Sequence, residues 1–205
     1  MKTKLWTVLF GLGLMMTGGH AMAAEREVIL AGGCFWCLEH DMQKIEGVFR
    51  AESGYAGGTA PDMTYEKSHD FEASGGHVEA VKVVFDEDKI SFKKILQAFM
   101  GLHDYTDVDG QFCDRGKQYA PVIFVKNAEE RAVAEAVVAS VKGAKTPVVD
   151  YDPPLADDED GIGNRQFWTA EEYHQDYAEK NPTRYTYYRW SCGRDKRLQT
   201  LKPAL

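Results

Sequence analysis

The sequence predicts a single α+β domain, with helices packed on a largely antiparallel or mixed sheet. Strand-patterned and helix-patterned segments are interspersed along the chain, no internal repeat is visible, and no linker is long enough to divide it. The 205 residues suit one domain. With 44% hydrophobic and 27% charged residues, wholesale disorder, collagen-like repeats and a multi-span membrane protein are disfavoured.

The first 23 residues read as a secretory signal peptide rather than as structure. Lys2 and Lys4 make a positive start, 5–16 is a mostly apolar run, and Ala21-Met22-Ala23 is a small-x-small cleavage signal. The apolar run is short of the about 20 residues that a membrane span needs. No stable membrane insertion is therefore expected, and cleavage after Ala23 sends the domain at 24–205 to the periplasm. Residues 27–30 read as a short strand, 31–33 as a tight connection, and 34–44 as a helix closed by Gly47. A second strand at 48–55 runs into a loop rich in turn residues at 54–62. The best strand is 77–86. It leads to a helix at 91–102, with Ser91 as N-cap and Phe92, Ile95, Leu96 and Phe99 at helical spacing.

A polar loop rich in Gly and Asp spans 103–117, a length that is usually functional inside a domain. A strand at 119–125, a helix at 128–142 ended by Gly143 and a strand at 147–151 follow. The acidic run Asp157-Asp158-Glu159-Asp160 reads as solvated loop, since it lacks the ligand spacing of a cation site. Residues 169–179 read as helix, and the last 25 or so are polar with little periodicity.

The chain has 24 Lys and Arg against 32 Asp and Glu, a net charge of -8. Loss of the leader takes two lysines with it and leaves -10 over 182 residues. Nucleic acid is excluded as a general partner, because phosphate binding needs a concentrated basic face; small molecules or proteins remain. Four cysteines are too few to frame a fold by disulfides, so each has to be read by its place.

Cys34 stands where a strand, two glycines and a helix start meet. Backbone N–H groups there favour a thiolate, and the glycines let another molecule approach, which makes Cys34 a candidate nucleophile rather than an inert buried thiol. Cys34-Phe35-Trp36-Cys37 is a C-x-x-C opening a helix, so Cys37 either resolves an oxidised Cys34 or packs as a small hydrophobe. A zinc site from Cys34, Cys37, Cys113 and Cys192 lacks the second ligand pair such sites show, and no metal is expected. Glu79 shares strand parity with Val81, Val83 and Phe85. An acid on an apolar face is driven towards its neutral form, the profile of a general acid, unless it lies at a frayed strand start and reaches water. Tyr65 and Tyr119 can donate hydrogen bonds to a substrate oxygen. Asp114 reads as a loop-shaping residue and His174 as structural. Cys192, outside any assigned element and beside a glycine and two arginines, suits thiol exchange; a disulfide to Cys113 or an idle thiol is the alternative.

Gly32-Gly33-Cys34-Phe35-Trp36 with Gly54-Tyr55-Ala56-Gly57-Gly58 resembles the peptide methionine sulfoxide reductases of the A type. Further motifs extend the resemblance from 28 to 198: Gly76-His77-Val78-Glu79-Ala80-Val81, His103-Asp104, Asp114-Arg115-Gly116-Lys117-Gln118-Tyr119 and Glu172-Tyr173-His174-Gln175. The resemblance implies a two-layer α/β sandwich with a ferredoxin-like mixed sheet and packed helices. It makes Cys34 the nucleophile, Phe35 and Trp36 the pocket for the substrate methyl group, and Glu79 the acid, helped by Tyr65 and Tyr119 with Asp114 nearby. It further implies reduction of the S epimer of methionine sulfoxide, free or in oxidised proteins, through a Cys34 sulfenic acid and an intramolecular disulfide. No bound cofactor is implied; a thioredoxin-like dithiol reductant is the external partner, and the enzyme acts as a monomer. Many family members have Gly at the place of Cys37, and Arg-Ser often stands where this chain has Ala120-Pro121. Cys37 and Cys192 are thus two candidate resolving cysteines, favoured by proximity and by tail mobility respectively, alone or in relay. A secreted thioredoxin-like oxidoreductase using Cys34 and Cys37 is the competing reading. Against it, a thioredoxin pattern expects a cis-proline strand about 40 residues after the cysteine pair, and 77–86 contains no proline.

Overall fold

A computed structural model describes residues 24–60, 62–151 and 167–203. The leader with its cleavage point at Ala23 and the acidic run at 157–160 lie outside these residues. In chain order the elements are β1 (Glu25–Ala31), α1 (Phe35–Met42), β2 (Val48–Ala56), α2 (Tyr65–Ser68), β3 (Val78–Asp86), α3 (Phe92–Met100), β4 (Gly110–Gln111), β5 (Asp114–Arg115), β6 (Val122–Val125), α4 (Ala128–Ser140), β7 (Val148–Asp150), β8 (Trp168–Thr169), α5 (Tyr177–Lys180), α6 (Pro182–Ser191) and α7 (Arg194–Leu201). The main sheet runs β7-β6-β1-β3-β2-β8. Its β6–β7 pair is parallel and every other pair antiparallel. Within it, β1-α1-β2-β3-α3-β6 follows the ferredoxin-like β-α-β-β-α-β order, as the resemblance implied.

Period-two alternation sorts β3 between two cores. Val81, Val83 and Phe85 face the main one, with Leu38 and Met42 of α1, Ile95 and Phe99 of α3 and Val137 of α4. Val78 and Ala80 face a smaller one on the other side of the sheet, with Ile29, Phe124 and Phe167. Ser91 caps α3 as the sequence suggests, its Oγ accepting from Lys94 N–H, and Asn127 caps α4, its Oδ1 accepting from Glu130 N–H. No helix of the described residues is long and apolar enough to cross a membrane.

Three expectations are corrected. Residues 169–179 are not one helix: β8 and a run of turns precede the four-residue α5. Side chains in this stretch act as a substitute strand. Gln175 accepts from Ser53 N–H and donates to the carbonyls of Ser53 and Ala170, while Asp176 takes a left-handed φ of 52° that interrupts a helix. The strand expected from 119 starts at Val122, because Lys117–Tyr119 forms a 3-10 turn and Pro121 has no N–H to give a ladder. The polar C-terminal segment is two helices, α6 entered through Pro182 and α7 after Gly193 at φ 67°. They dock through charge rather than through an apolar stripe: Arg189 grips Asp41 at 2.9 Å and also Asp195, and the buried Arg194 bonds the Leu102 carbonyl.

Candidate active site

The turn after β1 fixes the position of Cys34. Gly33 sits at φ 85°, and a Cβ there would lie 2.5 Å from Gln111, so only glycine lets the chain pass the β4–β5 hairpin. Cys34 then becomes the N-cap residue of α1, with its carbonyl accepting from Cys37 N–H at 3.1 Å and Leu38 N–H at 3.3 Å. From below, β3 presents Glu79, 3% exposed, in register with the buried Tyr55 of β2. Phe35 N–H, one of the unpaired amides at the start of α1, donates to Glu79 Oε2 at 2.9 Å. Glu79 is thus a buried acid inside the sheet, not a frayed strand end. Burial pushes its carboxyl up to about 8 against the pull of the Phe35 bond, and Asp114 and Cys37 add to the push.

Burial also pushes the Cys34 thiol well above its ordinary range, helped by its bond with Cys37 and opposed by the Tyr188 hydroxyl. This reverses the sequence expectation of a thiolate favoured by the helix start. Phe35 N–H, the first amide of α1, is engaged by Glu79, and a cysteine only 7% exposed has little water to stabilise its anion. Cys37 is held down to about 7 by the bond from Cys34, against burial, with Arg194 and Arg189 adding to the effect.

Tyr65 at the start of α2 and Tyr119 at the end of the 3-10 turn both lie within electrostatic range of Glu79, Cys34 and Asp114. Burial first, then the Glu79 carboxyl, raises both phenols, so they remain hydrogen-bond donors. Asp114 of β5 accepts from the Tyr188 hydroxyl of α6. Phe35 is buried; Trp36 is half-buried, stacked on Tyr177 at 3.7 Å with Tyr188 edge-on at 6.0 Å. Every sequence-predicted residue of the nucleophile, acid, donor and apolar sets therefore meets in one place.

Cys192 does not. It caps the end of α6 and is bonded to Cys113, with Cα atoms 4.9 Å apart, whereas Cys34 and Cys37 are free thiols. Sequence reading missed two contributors. His174, read as structural, is 1% exposed, accepts from Trp36 Nε1–H at 2.9 Å, and packs its ring against Phe35 at 5.0 Å and Tyr65 at 4.5 Å. Tyr188 is one of ten tyrosines, in a helix that the sequence pattern did not reveal. Chemically, the arrangement is a nucleophilic sulfur between a neutral carboxyl with two phenols and an aromatic wall, with a second thiol one helical turn away.

The family model for peptide methionine sulfoxide reductase matches residues 26–204. A Rhizobium meliloti protein named peptide methionine sulfoxide reductase MsrA 2 is 42% identical over 182 residues, covering 88% of this chain and 86% of that protein. The Caulobacter vibrioides protein of the same name is 40% identical over 196 residues, covering 94% and 95%. A Vibrio cholerae protein named peptide methionine sulfoxide reductase MsrA/MsrB is 39% identical over 188 residues, covering 87% of this chain and 45% of that protein's length. Among solved structures, methionine sulfoxide reductase A of Corynebacterium diphtheriae superposes with a TM-score of 0.63 at 27% identity, covering 77% of this chain and 76% of that one.

Proposed function

The chain belongs to the peptide methionine sulfoxide reductase family, A type, and from that premise we propose that this oxidoreductase repairs the S epimer of methionine sulfoxide, free or in oxidised proteins, using Cys34, Glu79 and Cys37. The observation that carries the reading is the pairing of a buried, proton-bearing Glu79 with Cys34 across the start of α1. Cys34 sulfur attacks the sulfoxide sulfur while Glu79 gives its proton to the oxygen, with Tyr65 and Tyr119 donating to the same oxygen. The sulfur–oxygen bond of the substrate breaks, the oxygen leaves with the Cys34 sulfur as sulfenic acid, and methionine departs with its electron pair restored. Cys37 sulfur then displaces hydroxide, which takes a proton and leaves as water, and a Cys34–Cys37 disulfide forms. A thioredoxin-like dithiol returns that disulfide to two thiols and is itself oxidised; no bound cofactor or metal enters the cycle.

Epimer choice has a physical basis. A sulfoxide sulfur carries an oxygen, a methyl group and the longer chain. A carboxyl on one side and the Phe35–Trp36 wall on the other fix the first two, so only one hand leaves the chain pointing outward. Cys37 serves as resolver because it is a free thiol three residues from Cys34, whereas Cys192 is engaged by Cys113. The leader at 1–23 supports export to the periplasm, a compartment in which the Cys113–Cys192 disulfide persists.

The test is turnover of a methionine sulfoxide peptide with dithiothreitol, resolving both epimers. The S epimer should disappear, the R epimer should remain, and Cys34→Ser should be inactive. Equal consumption of both epimers, or activity in Cys34→Ser, overturns the proposal.

A further inference from the structure

His174 is a buried ring to which the proposed chemistry gives no task. It is 1% exposed and bears on three of the residues that meet the sulfoxide in that scheme. Its Nδ1 accepts from Trp36 Nε1–H at 2.9 Å, and its ring centroid lies 5.0 Å from that of Phe35 and 4.5 Å from that of Tyr65. An indole N–H only donates, so Nδ1 carries no proton and the imidazole serves Trp36 as an acceptor. Tyr177 also holds Trp36, stacked on it with 7° between the planes. A stack fixes the plane of the indole but leaves it free to slide or turn within that plane. The directional bond to His174 removes that freedom.

The turn that carries His174 also holds Tyr65. The Glu171 carbonyl accepts from His174 N–H at 2.8 Å, and the Glu171 carboxylate accepts from Tyr65 N–H at 2.9 Å. Next in the chain, Gln175 is clamped to Ser53 of β2, and Asp176 N–H donates to the buried Glu39 of α1 at 3.0 Å. His174 therefore stands on backbone fastened to both β2 and α1, and its ring is a firm spacer.

We propose that His174 is the gauge of the S-alkyl pocket: by bearing on both the Phe35–Trp36 wall and Tyr65, it fixes how far the wall stands from the oxygen donor and limits the group on sulfur to methyl. This rests on the reading of Phe35 and Trp36 as the methyl wall and of Tyr65 as a donor to the sulfoxide oxygen. His174 acts through those residues and is a positioning residue. Its two contacts make separable demands. The ring fills the volume behind the wall, which sets the size limit, and Nδ1 sets the orientation of the indole. One methylene too many in a fixed apolar pocket changes kcat/KM by about 10–200-fold, so the gauge is read as discrimination between methyl and ethyl.

The test compares S-epimer peptides of methionine sulfoxide and of its S-ethyl analogue. Exchange of the Trp36 indole N–H, followed by NMR and identified by its loss in Trp36→Phe, is read alongside. Wild type should favour methyl about tenfold or more. His174→Asn keeps an acceptor near the place of Nδ1 and removes most of the ring; it should leave the indole N–H protected and raise the ethyl-to-methyl ratio of kcat/KM about tenfold. His174→Phe keeps the ring and removes the acceptor. It should hold the ratio within about threefold of wild type, speed exchange of the indole N–H, and raise KM for the methyl peptide more than it lowers kcat. A ratio in His174→Asn within about twofold of wild type, equal loss of turnover with both peptides, or unchanged indole exchange in His174→Phe overturns the proposal. Wild type without turnover of the methyl peptide would overturn the proposed function and the gauge together, whereas turnover with an unchanged ratio overturns the gauge alone.

Discussion

Glu79 serves both fold and chemistry, and the two make opposite demands. As the acceptor of Phe35 N–H it fixes the start of α1, and as a buried carboxyl it holds a proton up to about pH 8. An unfolded chain releases that proton above about pH 4.3. Between these values the folded state binds more protons than the unfolded one, so stability falls as pH rises from about 4.3 to about 8 and levels beyond. Glu79→Gln keeps an acceptor for Phe35 and removes this slope. Its melting temperature should exceed that of wild type by more at pH 8 than at pH 5, while single-turnover methionine formation drops about 100-fold or more with substrate binding retained; an equal shift at both pH values contradicts the account. Glu79 was legible in the sequence because strand parity exposes an acid on an apolar face. His174 and Tyr188 were not, because each lies in a stretch whose fold the local pattern does not give, and one aromatic among many carries no signal of its own. The protonation of Cys34 was misread for a related reason: the capping amide goes to a residue 44 positions away.

At the level of elements, the segments that periodicity describes well are those buried against the sheet by apolar faces: β3, α1, α3 and α4. The segments that it describes poorly are held by polar contacts. The run after β8 is extended and turned because Gln175 satisfies the Ser53 amide and carbonyl in place of a neighbouring strand. Gln175→Ala leaves both groups without that partner and should cost about 1–3 kcal/mol in denaturant unfolding. It should also raise KM through the displaced Tyr177–Trp36 stack; unchanged unfolding would show that the amide clamp contributes nothing. Helices α6 and α7 were hidden because Arg189 and Arg194, not leucines, dock them against α1 and the loop after α3. Those charges recur too irregularly to register as a helical face.

For the whole molecule, the fold class was legible from the mixture of strands and helices, but the strand order was not, since it depends on non-local pairing. The ferredoxin-like order places β1 and β3 side by side at the centre of the sheet. The end of β1 thereby delivers Cys34 above the start of β3, where Glu79 stands, and α5 with α6 closes over Cys37. The four cysteines divide accordingly into a buried free pair at the site and a bonded pair that ties the hairpin to α6. The central claim is that the first pair alone cycles. Wild-type enzyme mixed with excess methionine sulfoxide peptide and no reductant, then acid-quenched and peptide-mapped, tests it most directly. The account predicts about one methionine per chain, a new Cys34–Cys37 disulfide and an unchanged Cys113–Cys192 disulfide; methionine formation with Cys37 still a free thiol, or with Cys34 joined to Cys192, would contradict it.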